Sequence, residues 1–397
     1  MSRPQHRPVD RPGRRPSRAV RACAAVLLAG LAAGCASEQP LPPPRPQEVG
    51  APVPAVDAEQ LEQVHADVAE TVAAADAARD ATLLDPLVTG VAAEVRAARY
   101  RLQELVPDAP APVPVEADAL RDVVPAVGVP GAEEGEAPDR APSPADAAAT
   151  FPRTWATITG PQAQPQLAVL VQEDVRSPYR VVTTTGLLPG AVVPPVATAE
   201  QGAPPVDPTS AEGLVLSPQD AVARYAEALS AGDPAAPADG SADEGATDEG
   251  ATDEGATDEG ADQPGAEQQG PGLDVVADDA FRAEVRAERA EADAVDFFAL
   301  ETTRTPRPDA VRAVATADGG ALVVGVLDSS AVQVVEEEGA VLQLPETVAA
   351  LAGRDDAPER LEQKWVEVVA LVVPTADEPG PVRAVGADRV LVEATAS

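Results

Sequence analysis

Reactive side chains are scarce in this chain, so each can be weighed singly. Its cysteines are Cys23 and Cys35, its histidines are His6 and His65, and Lys364 is its only lysine. Too few thiols and imidazoles remain for a structural metal cage or a cysteine–histidine dyad. No Gly-x-Ser-x-Gly elbow and no phosphate loop ending in Gly-Lys-Ser/Thr occurs. Carboxylates have the opposite problem: with 66 Asp and Glu, a pair of acids carries no information. Asp174 near a turn and Asp296 beside Phe297 are the acids placed to act as a base if a pocket forms around them. Lys364 alternates with Trp365 along a strand pattern, which puts it with Glu362 on the solvent side. Trp155 and Tyr179 read as core, or as the wall of a cavity. Arg176 and Arg180 bracket a turn and read as partners of Glu173 and Asp174, or as contacts for an anionic ligand or partner. The residue types thus predict no catalytic set, no metal site and no cofactor.

One thiol does have chemistry written around it. Seven arginines (Arg3, Arg7, Arg11, Arg14, Arg15, Arg18 and Arg21) precede an apolar run from Ala22 to Ala33. That run is shorter than the about 20 residues needed to cross a bilayer. A basic stretch, a short apolar stretch and small residues behind it describe an export signal that is later removed. Ala33 and Gly34 are small enough for a narrow peptidase site, and only a thiol at position 35 can become a thioether. Leu31–Cys35 resembles the box processed in bacterial prolipoproteins, with Ala32 where Leu is commoner. The resemblance implies a diacylglyceryl group on Cys35, cleavage before it, and anchoring on the extracytoplasmic face of the cell membrane. Two acyl chains hold such an anchor stably where one does not. Ordinary secretion after cleavage and an uncleaved anchor are the alternatives.

Charge narrows the partners. The formal net charge is -37, and removal of the arginine-rich signal makes it more negative still. Such a surface repels nucleic acid and anionic lipid headgroups, and no basic patch interrupts it. Nucleic acid is therefore excluded as a partner. The membrane is expected to be met through the lipid alone.

The elements that must position these residues follow from pattern. Residues 1–34 read as signal and 35–56 as a Pro-rich stalk, extended because polyproline has no internal contacts to collapse it. A first α+β domain is predicted over 57–190, with a disordered Pro/Ala/Glu-rich insertion at 107–148. Leu61, Val64, Val68 and Val72 follow helical spacing behind Asp57, with Gln60 completing a capping box. A second helix is predicted around Leu83–Val95 with Pro86 in its first turn, and Tyr100–Val106 reads as leaving it toward a strand. Strand patterns follow at Trp155–Thr159, Gln166–Asp174 and Tyr179–Gly186. A linker spans 191–215. The second α+β domain, 216–397, opens on a Ser217-Pro218 cap and carries a disordered acidic insertion at 231–272, which includes three ATDEG copies. That repeat lacks the ligand spacing of a calcium hand. A hairpin is predicted at Val311–Leu327 around Asp318-Gly319-Gly320, then a short helix near Glu346 and two long strands, the first carrying Trp365 into the core.

The segments around Arg176–Arg180, Leu187–Gly190 and Asp318–Gly320 resemble a family of uncharacterised actinobacterial secreted lipoproteins. Helices placed before a curved sheet also look like the cone-shaped fold of nuclear transport factor relatives (cystatin-like), in tandem. The expected fold class is α+β: two small domains of N-terminal helices on curved antiparallel sheets. The expected function is a non-enzymatic envelope protein that binds a small ligand or an envelope partner, with Trp155, Arg176, Tyr179 and Arg180 as contact residues. An enzyme using a pocket carboxylate and a structural spacer are the competing expectations. For the anchor, Cys35→Ser should abolish labelling by a fatty-acid analogue; equal labelling of both proteins would refute lipidation at this thiol.

Overall fold

The capping residues act as their sequence signatures imply. Asp57 accepts from the Gln60 amide at 2.8 Å, and the Gln60 side chain accepts from the Asp57 amide at 3.1 Å. This reciprocal cap opens α1, Ala58–Ala78. In the second half, Ser217 Oγ accepts from the Asp220 amide at 3.1 Å, and Pro218 fills the first helical position of α3, Pro218–Ser230. A computed structural model describes residues 53–54, 56–118, 121–123, 126–127, 151–195, 206–231 and 275–397. The predicted signal with Ala33 and Gly34, the Cys35 anchor, most of the stalk and the ATDEG repeat lie outside the described residues.

The second helix differs from its prediction. Ala81–Leu84 form a single 3-10 turn, and α2 runs Gly90–Leu105, so Pro86 precedes the helix rather than entering its first turn. Tyr100–Leu105 continue the helix instead of leaving it. The reason is packing: Ala92, Arg96, Tyr100 and Gln103 form one buried stripe at helical spacing, while Val91 and Val95 are buried on another side. Tyr100 Oη donates to Asp76 at 2.5 Å, fastening α2 to α1. Arg96, also buried, binds Asp76 and reaches the Val113 carbonyl at 2.7 Å. Residues 107–118, expected as the start of a disordered stretch, are thereby held on α2.

The described strands form two main antiparallel sheets, which places the fold in the mixed α and β class. The first has four strands in the order β1 Arg121–Val123, β2 Arg153–Thr159, β3 Gln166–Gln172 and β4 Arg180–Gly186. The second contains β5 Phe298–Pro306, β6 Arg312–Ala315, β7 Ala321–Val335, β8 Arg360–Val373 and β9 Arg383–Ala396. Its order is β9-β8-β7-β5, with β6 pairing the first part of β7 where β5 has ended. The expected Asp318-Gly319-Gly320 hairpin joins β6 and β7, with Gly319 at φ +86. Two more helices, α4 Ala280–Asp293 and α5 Glu346–Ala352, flank this sheet.

Residue alternation decides what each face meets. On the first sheet, Trp155, Leu170 and Val181 pack under α1, while Ile158, Leu167 and Val169 face the other way. On the second, Val323, Val369 and Leu371 pack under α3 and α4, while Val324, Val326, Val366 and Val368 face the first sheet. The inward faces of both sheets, with Val91 and Val95 of α2, form one hydrophobic cluster. Residues on either side of the predicted 191–215 linker therefore share a core, and all described residues fall in one compact unit, Glu48–Ser397. The sheets meet closely at Gly386: Leu187 bridges to it, and Thr185 Oγ1 donates to the Val368 carbonyl at 3.1 Å.

A Cβ on Gly386 would lie 2.8 Å from the Gly186 carbonyl oxygen and 3.2 Å from Ala370 Cβ. Backbone cannot swing aside as a flexible side chain does. Gly386→Ala should cost about 1–3 kcal/mol by overpacking, read as a lower denaturation midpoint; an unchanged midpoint would show that the sheets are not tightly apposed there.

Candidate functional site

Strand β8 carries Gln363, Trp365, Glu367, Val369, Leu371 and Val373 on one face. The same face of β7 carries Leu327, Ser329, Ala331 and Gln333. Helix α3 covers the Val369–Val373 half of this face. It comes closest at Gly325, where any Cβ would lie 2.4 Å from a Val222 methyl, so the missing side chain is what lets the helix seat. Beyond Leu327 the helices stand off. The face then opens into a cavity of about 470 Å³, walled by α4 on one side and by Pro345 and Val348 on another.

Register fixes what lines its floor. Ser329 lies opposite both Arg304 and Trp365, and Trp365 lies opposite Leu391, so four strands contribute one row. In the neighbouring row Glu367 lies opposite Arg389. The row-to-row contacts are ionic. Arg304 Nε binds the two oxygens of Glu367 at 3.0 and 3.3 Å, and Arg304 Nη1 donates to the Leu229 carbonyl at 3.2 Å. Leu229 is in the last turn of α3, whose carbonyls have no helical partner; Arg289 of α4 satisfies the next one, Ser230, at 2.9 Å. Glu367 has no solvent exposure, so this charge is tenable only because the guanidinium is there.

At the mouth, Arg389 forms a two-pronged pair with Glu288 of α4, at 2.8 and 2.5 Å, and its guanidinium sits 5.7 Å from the centre of the Trp365 ring. Burial alone would lower the Arg389 pKa, but the Glu288 carboxylate, together with Glu367 and Glu284, outweighs it and the net shift is upward. Arg389 is a permanent cation. Behind the floor, burial and then the Asp279 carboxylate push the Tyr225 phenol far above its ordinary range, so it stays a donor to Asp279.

One polar atom on this floor is unmatched. Ser329 is 5% exposed, and its Oγ has no hydrogen-bond partner. A buried unpaired hydroxyl costs about 1–3 kcal/mol. Among the described residues the two carboxylates that line the cavity, Glu367 and Glu288, face the Arg304 and Arg389 guanidinium groups. The arrangement therefore suits recognition of a polar ligand over a fixed aromatic wall rather than nucleophilic attack.

The residues singled out from sequence lie elsewhere. Trp155, fully buried, makes edge-to-face contacts with Tyr179 at 5.7 Å and with His65 at 4.9 Å, so these three are brought together under α1. Arg180 lies at the start of β4, and Arg176 is exposed on the preceding turn. Among the described residues neither guanidinium forms an ion pair. Asp174 instead builds the turn, accepting from the Arg176 and Ser177 amides at 2.8 and 3.1 Å. Asp174 and Asp296 are both exposed, which removes them as pocket bases. Trp365 lines the cavity rather than filling the core. Lys364 does sit on the opposite side, 3.4 Å from Glu393 and 3.8 Å from Glu362. Sequence reasoning missed Glu367, Arg304, Ser329 and Arg389. The one available signal was Glu367 itself, an acid on the Trp365 face of a strand that is otherwise valine-rich.

If Ser329 is kept for a ligand, the empty protein bears its cost. Ser329→Ala should raise stability by about 1 kcal/mol, measured by chemical denaturation. Destabilisation by a similar amount would mean that the hydroxyl has a structural partner.

No curated protein and no solved structure matches the chain. A family model does, across strands β2–β9 and the cavity: residues 142–396, well over half of the chain, match the family described as a domain of unknown function, DUF8094. The chain belongs to that family.

Proposed function

We propose that this chain is a lipid-anchored extracytoplasmic protein that binds a small polar molecule in the cavity over Ser329, without turning it over. The observation that carries the reading is the unpartnered Ser329 hydroxyl on the floor of a 470 Å³ cavity. Pockets for small ligands combine apolar walls with a few placed polar groups. Here Trp365, Leu300 and Leu391 supply the wall, while Ser329, Gln333 and Gln363 supply hydrogen-bonding groups. Three guanidinium groups, from Arg289, Arg304 and Arg389, stand around the cavity against the Glu288 and Glu367 carboxylates. The ligand is accordingly neutral or anionic rather than cationic.

The anchor is argued from Leu31–Cys35 and the arginine-rich run before it. Among the described residues no helix is long and apolar enough to cross a membrane, and lipid on Cys35 would supply the attachment. The two sheets with their helices are read as two α+β lobes, α1 and α2 on one and α3 and α4 on the other. The helix-before-curved-sheet order supports the resemblance to tandem cone-shaped domains. An envelope protein contacting the cavity mouth is the alternative partner. The enzyme reading has Glu367 in its favour as a pocket carboxylate, but both of its oxygens already face the Arg304 guanidinium.

The two tryptophans make a direct test, because Trp365 lines this cavity and Trp155 does not. Fluorine NMR of the 5-fluorotryptophan-labelled protein, assigned with Trp365→Phe, separates their signals. Titration with the small-molecule fraction of the native envelope should shift the Trp365 resonance saturably in wild type and far less in Ser329→Val. A Trp365 resonance unmoved by every fraction would contradict the proposal, and so would consumption of the bound compound.

A further inference from the structure

A second opening lies beside α1. It is a groove of about 410 Å³ between α1 and the end of the four-stranded sheet, lined among others by Val64, Val68, Leu87, Arg153, Gln172 and Tyr179. Arg153 and Trp155 are two apart on β2 and share its α1 face; Tyr179 precedes β4, two residues before Val181, which packs on that face. The register sets Arg153 opposite Gln172. Gln172 spends its amide on the Ser177 carbonyl at 3.0 Å.

What remains is a concentration of unmatched donors. Tyr179 is 6% exposed, and its Oη has no hydrogen-bond partner; the same holds for the buried Nε of Arg153 and of Arg180, and for Trp155 Nε1. Two of these donors, Tyr179 Oη and Arg153 Nε, belong to residues that line the groove, and a buried donor left without a partner calls for an explanation. Burial raises the Tyr179 phenol above its ordinary pKa, and the neighbouring Arg153 guanidinium only partly offsets this. The phenol therefore stays protonated. The Arg153 guanidinium is held 4.3 Å over the Phe151 ring. Across the groove the nearest acid is Asp67, exposed on α1, with one oxygen already taken by Gln63 at 2.5 Å.

We propose that this groove is a second ligand site, for a small organic monocarboxylate with an apolar body. The carboxylate accepts from the Tyr179 hydroxyl and the Arg153 guanidinium, the pairing that a charged acceptor favours. The body lies along Val64, Val68 and Leu87, with Val175, 75% exposed at the rim, closing over it. A single negative charge matches the one guanidinium that lines the groove, that of Arg153, whereas a dianion would be repelled by Asp67. The site is independent of the cavity over Ser329 and stands or falls separately from it.

The test uses the full chain labelled with 5-fluorotryptophan, since Trp155 touches Tyr179 and reports on this groove alone. The probes are hexanoate and phenylacetate, with phenylacetamide as the uncharged isostere. Either acid should shift the Trp155 resonance saturably while leaving Trp365 in place, and phenylacetamide should bind at least about tenfold more weakly than phenylacetate. Tyr179→Phe removes one oxygen from an unmatched site, so it should keep the fold and weaken acid binding about tenfold. The proposal is overturned if neither acid moves Trp155 below its solubility limit, if acid and amide bind alike, or if Tyr179→Phe, folded by its spectrum, binds as wild type does. A shift of Trp365 alone would also overturn it, by assigning the acid to the other cavity.

Discussion

An ion pair with almost no access to water, Arg304 with Glu367, organises the second half of this molecule. A carboxylate taken out of water costs several kcal/mol unless a cation and further hydrogen bonds replace the solvent. Glu367 recovers this from Arg304, and Arg304 recovers its own burial from Glu367 and from the Leu229 carbonyl. The pair consequently ties β5 to β8 across β7 and fastens the end of α3 to the sheet. Because its atoms must stay hydrogen-bonded, they keep the floor polar at the point where α3 ends. Apolar side chains in their place would pull the neighbouring helices down and close the space.

The same economy governs the rest of the fold. Each sheet turns one apolar face inward, and these two faces bury each other together with one side of α2. The outer faces are left to helices, α1 on the first sheet and α3 with α4 on the second. Two of the openings beside them lie beyond the end of α3 and alongside α1. Both openings hold an arginine, an aromatic ring and a hydroxyl with no partner inside the protein. Their positions follow from where the helices seat on the two sheets.

Local chemistry was legible in the sequence wherever it depends on near neighbours. The Asp57–Gln60 box, the Ser217-Pro218 cap, the Gly319 hairpin and the alternation that separates Lys364 from Trp365 all appear as read. Where partners are remote in sequence, the reading failed. Alternation at Val366, Val368 and Val324 says that a face is buried, but not that a second sheet buries it. Tyr100 looks like the start of a strand until Asp76, 24 residues earlier, is seen to take its hydroxyl. Glu367 was one acid among 66, and its importance depends on Arg304, 63 residues away. Asp174 and Asp296 drew attention through their neighbours in the chain, yet both face solvent. Trp155 and Tyr179 were found because aromatic residues are rare here, which makes each a marker of a core or a cavity.

The central claim is that Arg304 and Glu367 sustain each other and hold the cavity floor in place. A double-mutant cycle with Arg304→Met and Glu367→Gln, followed by chemical denaturation, measures it directly. Each single change should cost about 3–5 kcal/mol, and the double variant should lose far less than the sum, because neither change then strands a buried charge. Additive losses, or single losses of a few tenths of a kcal/mol, would contradict the account.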